Sequence, residues 1–379
     1  MIPVSILVTG RGTVSERITG RRGRRPSRFT TTIKPIIFWN LTYKCNLHCS
    51  HCYINAGPSG GPELGVGEKL RIAEELSSHG IPHVVLTGGE PLLAKGFWSL
   101  ASRLAELGRP SMSLSSNGTL IDDRTSSRLA ELGFKYAGVS LDSVRPEVHD
   151  KFRGLRGSFK RTVRGIRSLI DYGIPVGVRT TITRWNIGEI PEVIDLAASL
   201  GASRVALYML DTVGRGRLLA GDLPTPGQAK RLLDTLVEKA REYAGTLEIL
   251  LVRFNQGGVY IAKKLSRTPE ELKGLLEVIG SQGDCGRKAV SIYPDGRVKP
   301  CQFIDHIDLG DLRRESLSTI LNPANPRLKP FLETHKMLRG PRCSHCPYKE
   351  YCGGGSRGRA LALTGDFWGD DPLCPLEDG

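Results

Sequence analysis

Three cysteines stand close together in Tyr43-Lys44-Cys45-Asn46-Leu47-His48-Cys49-Ser50-His51-Cys52-Tyr53. Spaced CxxxCxxC, they offer three thiolates to an iron–sulfur cube that takes four ligands, which leaves one iron open to an outside ligand and therefore to chemistry. The same thiols suit a structural zinc ion if His48 or His51 completes the set. Six further cysteines lie far along the chain: Cys285, Cys301, Cys343, Cys346, Cys352 and Cys374. In a reducing compartment, cysteines clustered in this way are ligands or catalysts rather than disulfide partners. Cys343, Cys346, Cys352 and Cys374 form a four-thiolate set for zinc or for a second cluster.

Three polar motifs accompany the first cysteine set. Leu86-Thr87-Gly88-Gly89-Glu90-Pro91-Leu92 has adjacent glycines that admit a ligand close to the backbone, with a carboxylate suited to an ammonium group. Ser115-Ser116-Asn117-Gly118 supplies hydroxyls and an amide, and Val139-Ser140-Leu141-Asp142-Ser143 supplies a hydroxyl and a carboxylate suited to ribose hydroxyls. Singly, each reads as a tight turn or a cap. Together they place an amine receptor, a sugar receptor and an open iron on one rim.

The elements that must position these motifs follow a βα rhythm. Strands are predicted at 36–41, 83–86, 111–115, 136–141, 176–183 and 204–209, with helices at 67–78, 97–107, 122–132, 159–172 and 191–200. Gly80, Gly108, Gly133, Gly173 and Gly201 stop those helices. Six βα units are too few for a closed eight-stranded barrel, and each motif falls in the loop leaving a strand, where parallel sheets gather function. A helix at 226–243, a strand near 248–253 and a charged helix near 268–279 bridge to a Gly- and Pro-rich part that ligands must hold together. The expected division is a basic lead at 1–33, a partial barrel at 34–215, a bridge at 216–284 and a cysteine-rich domain at 285–379.

At 379 residues the chain suits two domains. No apolar run approaches the roughly 18 residues that span a bilayer. The opening Met1-Ile2-Pro3-Val4-Ser5-Ile6-Leu7-Val8 lacks a basic n-region and a cleavage site, so a cytoplasmic location is expected. The net charge of +14, concentrated partly in Arg17, Arg21, Arg22, Arg24, Arg25 and Arg28, suits an anionic partner or a solvated face.

From 35 to 209 the chain resembles radical S-adenosylmethionine (SAM) enzymes, through CxxxCxxC after the first strand and Gly88-Gly89-Glu90 after the second. The resemblance implies an α/β fold, a partial (βα)6 TIM-like barrel with a small cysteine-rich Fe–S domain. It implies that Cys45, Cys49 and Cys52 hold a [4Fe–4S] cluster whose open iron is chelated by SAM. Gly88, Gly89 and Glu90 then face the SAM amino group, and Ser116 and Asn117 join the cofactor rim. By the same likeness Ser140 and Asp142 face the ribose, Tyr53 lies near the adenine, and Arg179 pairs with the SAM carboxylate. Reductive cleavage to a 5′-deoxyadenosyl radical is the expected activity.

The C-terminal cysteines resemble the SPASM-type extension of these enzymes, which implies one auxiliary [4Fe–4S] cluster on Cys343, Cys346, Cys352 and Cys374. Ser356 stands where the full pattern has another cysteine, so Cys285 and Cys301 are short of partners for a further cluster and either pack near the first or hold something labile. Shorter matches, among them Gly12-Thr13-Val14, Pro35 to Thr42, Gly214-Arg215-Gly216 and Thr364-Gly365-Asp366-Phe367-Trp368, resemble the siroheme-dependent haem-biosynthesis and haem d1 group. That likeness implies an iron tetrapyrrole substrate, with acetate removal from 12,18-didecarboxysiroheme to give Fe-coproporphyrin III favoured over propionate decarboxylation to haem b. Arg215 and Arg217 suit its carboxylates or else solvate a loop. A reductant such as ferredoxin or flavodoxin is implied. The alternatives are a peptide or protein maturase and, outside enzymes, a zinc-containing nucleic-acid-binding protein; Phe29 is the one aromatic in the basic segment, which makes nucleic acid an unlikely partner.

Overall fold

The computed structural model describes residues 1–14, 34–280 and 285–376. The arginines at 17–28 lie outside the described residues.

Strands form where β-branched and aliphatic residues run together. In chain order they are β1 (Ile2–Pro3), β2 (Ile36–Asn40), β3 (His83–Thr87), β4 (Ser111–Ser116), β5 (Ala137–Ser140), β6 (Val176–Ile182), β7 (Arg204–Met209), β8 (Glu248–Val252), β9 (Ala289–Ile292), β10 (Arg297–Lys299) and β11 (Gly310–Asp311). One sheet orders them β1-β8-β7-β6-β5-β4-β3-β2-β9-β10-β11. From β2 to β8 every neighbour is parallel, as right-handed βα crossovers require.

The connecting helices bury one stripe against this sheet. Phe97–Leu107 buries Phe97, Leu100, Ala101 and Leu104, the i, i+3, i+4, i+7 spacing of a core-facing helix, and stops at Gly108 with φ 66°. Each such leucine contributes about 1.5–3 kcal/mol by leaving water. Parallel strands must therefore end level on the face opposite their entry. The register shows it: Asn40 lies beside Thr87, and Ser140 lies beside Arg179.

The partial α/β barrel and its six βα units stand as expected, and the sheet goes further. β8 pairs in parallel with β7, placing Val252 beside Tyr208, so a strand of the 216–284 bridge belongs to the barrel wall. β9 pairs in parallel with β2, so the cysteine-rich part begins on the same sheet. The start of the basic lead is also core: β1 runs antiparallel to β8, and Ile2, Val4 and Leu7 are buried. Local pattern shows that a segment is a strand, but its partner is chosen by packing. Pro146–Arg153 and Asn255–Leu265 are among the helices that escaped the pattern, the first because it is short and mostly charged. No helix among the described residues is long and apolar enough to cross a membrane.

Candidate active site

The loop after β2 carries the cysteine triplet into a cleft of about 1020 Å³, open to solvent, at the C-terminal ends of the strands. Cofactor pockets are of this size. Cys45, Cys49 and Cys52 line it together with Tyr53, Gly88, Gly89, Ser116, Asn117, Ser140 and Arg179. Nine of the residues singled out in the sequence on separate strands or loops thus share one wall with Cys45.

Each sulfur receives a donor. Leu47 N–H donates to Cys45 Sγ at 3.4 Å, Ala56 N–H to Cys52 Sγ at 3.3 Å, and Arg153 Nη1 to Cys49 Sγ at 3.7 Å. Burial pushes the Cys45 thiol up to about 12 and raises Cys49 as well. Such thiols lose their protons only to a strong cation, and donors to sulfur then offset the thiolate charge. A set of three cysteines, carrying donors and facing a shared cleft, fits a cluster with one open iron. Thiolates on one zinc ion stand about 4 Å apart, given the Zn–S bond length. Among the described residues no group of three His, Cys, Asp or Glu side chains is gathered to hold a single ion.

The glycine motif is bolted to this loop. Gly89 N–H donates to the Thr42 carbonyl at 2.7 Å, and Glu90 N–H to the Lys44 carbonyl at 2.9 Å. A Cβ on Gly89 would collide with that same Lys44 carbonyl. Gly88 takes φ 136°, a conformation reserved for glycine, and a Cβ there would stand 2.8 Å from the Thr42 oxygen.

Three of the residues expected to meet the ligand are engaged by protein partners. Glu90 is fully buried and absent from the cleft wall; it accepts from Ser116 Oγ at 2.9 Å, Asn117 N–H at 3.0 Å and Leu92 N–H at 3.3 Å. Burial raises its carboxyl to about 7. It links two rim loops. Asp142 is likewise fully buried and held by Arg153 Nε at 2.6 Å and Thr181 N–H at 2.9 Å, which leaves Ser140 alone of that pair on the rim. The Tyr53 hydroxyl donates to Asn40 Oδ1 at 2.6 Å and accepts from Gln302 Nε2 at 2.7 Å, a strut between the cluster loop and the C-terminal part.

Arg179 lines the cleft and donates to Ser115 Oγ. Its guanidinium lies across Gly138, where any Cβ would overlap it. Arg215 is not free to grip substrate: its Nε and Nη2 donate to the Cys49 and Ala56 carbonyls at 2.8 Å, clamping the cluster loop. Arg217 Nη2 donates to both oxygens of Asp305 at 2.8 Å.

Sequence reasoning missed Arg153, and read His51 only as a possible zinc ligand. Arg153 is buried between Asp142 and Cys49, and His51 stacks on Phe152 at 4.1 Å while lining the cleft; burial pushes its imidazole down to about 3. The position of His51 between two cysteines was a usable signal. Arg153 had none, since it sits on the short helix that pattern reading passed over.

In the C-terminal part Cys343, Cys346, Cys352 and Cys374 are electrostatic neighbours, and burial pushes Cys352 up to about 12. Gly354 N–H donates to Cys352 Sγ at 3.3 Å, and Cys343 N–H to Asp370 Oδ1 at 2.9 Å. This donor set fits a fully ligated cluster. Cys285 and Cys301 are joined to each other as a disulfide, Cα atoms 4.9 Å apart, so in this state they offer no thiolate to a metal. Ser356, at the place of the missing cysteine, donates to Asp211 at 2.8 Å and faces Arg253 Nη2 at 3.0 Å, tying the auxiliary region to the end of β7.

A sheet of this topology with an open three-cysteine cleft at its strand ends defines the radical SAM class. Residues 39–197 match the Radical SAM superfamily, and residues 284–347 match the SPASM iron–sulfur cluster-binding domain. The chain is 34% identical to Fe-coproporphyrin III synthase of Methanosarcina barkeri, over 99% of this chain and 98% of the relative. It is 33% identical to pre-heme d1 synthase of Dinoroseobacter shibae, over 91% and 87%. SAM-bound SuiB of Streptococcus suis has the same fold, with a TM-score of 0.70 at 15% identity over 91% of this chain and 78% of that one. The chain belongs to the radical SAM superfamily and is an enzyme of that chemistry, with a [4Fe–4S] cluster, SAM and an iron–sulfur-binding SPASM domain.

Proposed function

We propose that this enzyme removes acetate side chains from 12,18-didecarboxysiroheme to give Fe-coproporphyrin III. The observation that carries the proposal is end-to-end similarity to an Fe-coproporphyrin III synthase, barrel and cysteine-rich part together. The bound cluster and SAM supply one-electron cleavage of a sulfonium and abstraction of a hydrogen atom. The chain's own residues do the rest. The backbone of Gly88 and Gly89 and the side chains of Ser116, Asn117 and Ser140 line the wall for SAM, and Arg179 supplies a guanidinium for its carboxylate. Glu90 and Asp142 hold those walls in register from behind. Arg215 and Gly214 close the cluster loop against the end of β7, limiting water at the reacting end.

One auxiliary cluster on Cys343, Cys346, Cys352 and Cys374 moves electrons, and a low-potential carrier such as ferredoxin or flavodoxin supplies them. The net charge of +14 suits an acidic carrier. The test is anaerobic incubation of the reconstituted enzyme with didecarboxysiroheme, with iron-coproporphyrin III and with a peptide pool, reading product masses. Loss of two acetate groups from the first is expected. Haem b from the second, or a modified peptide, refutes the assignment.

A further inference from the structure

His306 lies three residues beyond Phe303, a residue of the cleft wall. It follows Gln302 and Phe303, which line the cleft, and its side chain is 38% exposed. Its Nδ1 stands 3.6 Å from Asp305 Oδ1. Among the described residues no hydrogen bond engages its Nε2. His51, His83 and His149, by contrast, are enclosed by protein, and burial holds each imidazole well below its ordinary value.

Asp305 is anchored from three sides. Arg217 Nη2 donates to both of its oxygens, the Gly214 N–H faces its carboxylate, and Lys299 Nζ donates to its carbonyl at 2.7 Å. Gly214 in turn packs against the Cys52 and Tyr53 carbonyls so closely that a Cβ would overlap them. The Asp305–His306 pair is therefore coupled to the cluster loop itself. On its other side the imidazole meets Phe367 edge-on at 5.2 Å, and Phe367 meets Trp368 at 4.8 Å. Both rings are half-buried, so a partly exposed aromatic shelf adjoins the imidazole.

A carboxylate 3.6 Å from Nδ1, with no hydrogen bond to Nε2 among the described residues, suits an imidazole that ligates a metal. Aromatic faces suit a flat apolar macrocycle, and Arg217, half-exposed, suits a carboxylate on its rim. We propose that His306 Nε2 is the axial ligand to the iron of the tetrapyrrole substrate, positioned by Asp305. The proposal rests on the tetrapyrrole reading above. It adds what that reading lacks, a protein atom that selects an iron-bearing macrocycle over a metal-free one.

The test compares iron-coproporphyrin III with metal-free coproporphyrin III on the anaerobically reconstituted full chain. Binding is followed by fluorescence quenching of the protein, and ligation by the optical spectrum of the iron porphyrin and by resonance Raman of its ferrous carbonyl adduct. The wild type is expected to show imidazole-ligated iron. His306→Ala and His306→Gln should lose that signature and bind the iron porphyrin about tenfold or more weakly, as metal-ligand networks do when broken. Both variants should bind the metal-free ring like the wild type, and free imidazole should restore the signature in His306→Ala. Asp305→Asn should weaken iron-porphyrin binding while retaining imidazole ligation. If the wild type binds both rings and the two His306 variants keep its spectrum and affinity, the ligand assignment is overturned and the tetrapyrrole reading survives. If the wild type binds neither ring, the tetrapyrrole reading fails and the ligand assignment falls with it.

Discussion

Replacing Arg153 with Met keeps the length of the side chain and removes its charge, and the structure says what that does. Arg153 and Asp142 are both buried, their atoms 2.6 Å apart, and Arg153 is the ion-pair partner of Asp142 among the described residues. Removing one partner of a buried pair costs about 3–5 kcal/mol, because the other charge is left in a medium that cannot solvate it. The pH dependence is the sharper signature. Burial pushes the Asp142 carboxyl up, but Arg153, helped by His51, His149 and the Thr181 N–H, outweighs it, so the group lies below its ordinary value. Its contribution in the wild type is therefore present above pH about 4 and lost as the pH falls below that. In Arg153→Met burial acts unopposed by the guanidinium, the folded-state value rises above the unfolded one, and stability falls as pH rises. The deficit of the variant should thus be small in acid and grow to about 3–5 kcal/mol at neutral pH, and adding Asp142→Asn should recover most of it. Urea denaturation of the apo chain across this range measures it. A deficit below about 1 kcal/mol at neutral pH, or one that does not change with pH, refutes the buried-pair account. The same variant strips a cation from Cys49 Sγ, so the reconstituted cluster should become harder to reduce in a redox titration.

Other outcomes follow from the same contacts. Gly89→Ala drives a methyl into the Lys44 carbonyl, costing about 1–3 kcal/mol and weakening SAM binding by calorimetry, whereas Gly274→Ala, with open space around it, should leave affinity unchanged. Glu90, raised to about 7 by burial, holds its proton more tightly folded than unfolded, so it takes stability away as pH rises from about 4.5 to 7; Glu90→Gln should flatten that part of the apo chain's denaturation profile, and an unchanged slope contradicts the assignment. Replacing both Cys285 and Cys301 with Ser should leave iron per chain and the count of free thiols unaltered, and a fall in iron would make them ligands after all.

Much of the site was legible because its chemistry is carried by neighbours in sequence. The triplet Cys45, Cys49 and Cys52 and the pair Gly88 and Gly89 are each set by a single loop, and strand alternation put those loops on one edge. The surroundings of the carboxylates were hidden for the opposite reason. Glu90 and Asp142 look like ligands beside a glycine or a serine, yet one is taken by Ser116 and Asn117 and the other by Arg153 and Thr181, partners on other strands and helices. Arg215 looked available to substrate until the fold brought two loop carbonyls to it.

Sequence alone therefore determined the class of chemistry, the βα order and the two clusters of cysteines, since periodicity and short motifs are local properties of the chain. Tertiary structure alone decided which polar groups remain open to a ligand. A buried charge takes whatever partner the packed fold brings within reach, and for Asp142 that was Arg153, on a helix whose sequence announced nothing. It also decided that β8 and β9 extend the barrel wall and that His306 stands against Asp305 and Phe367, because strand pairing and side-chain packing depend on contacts between residues distant in the chain.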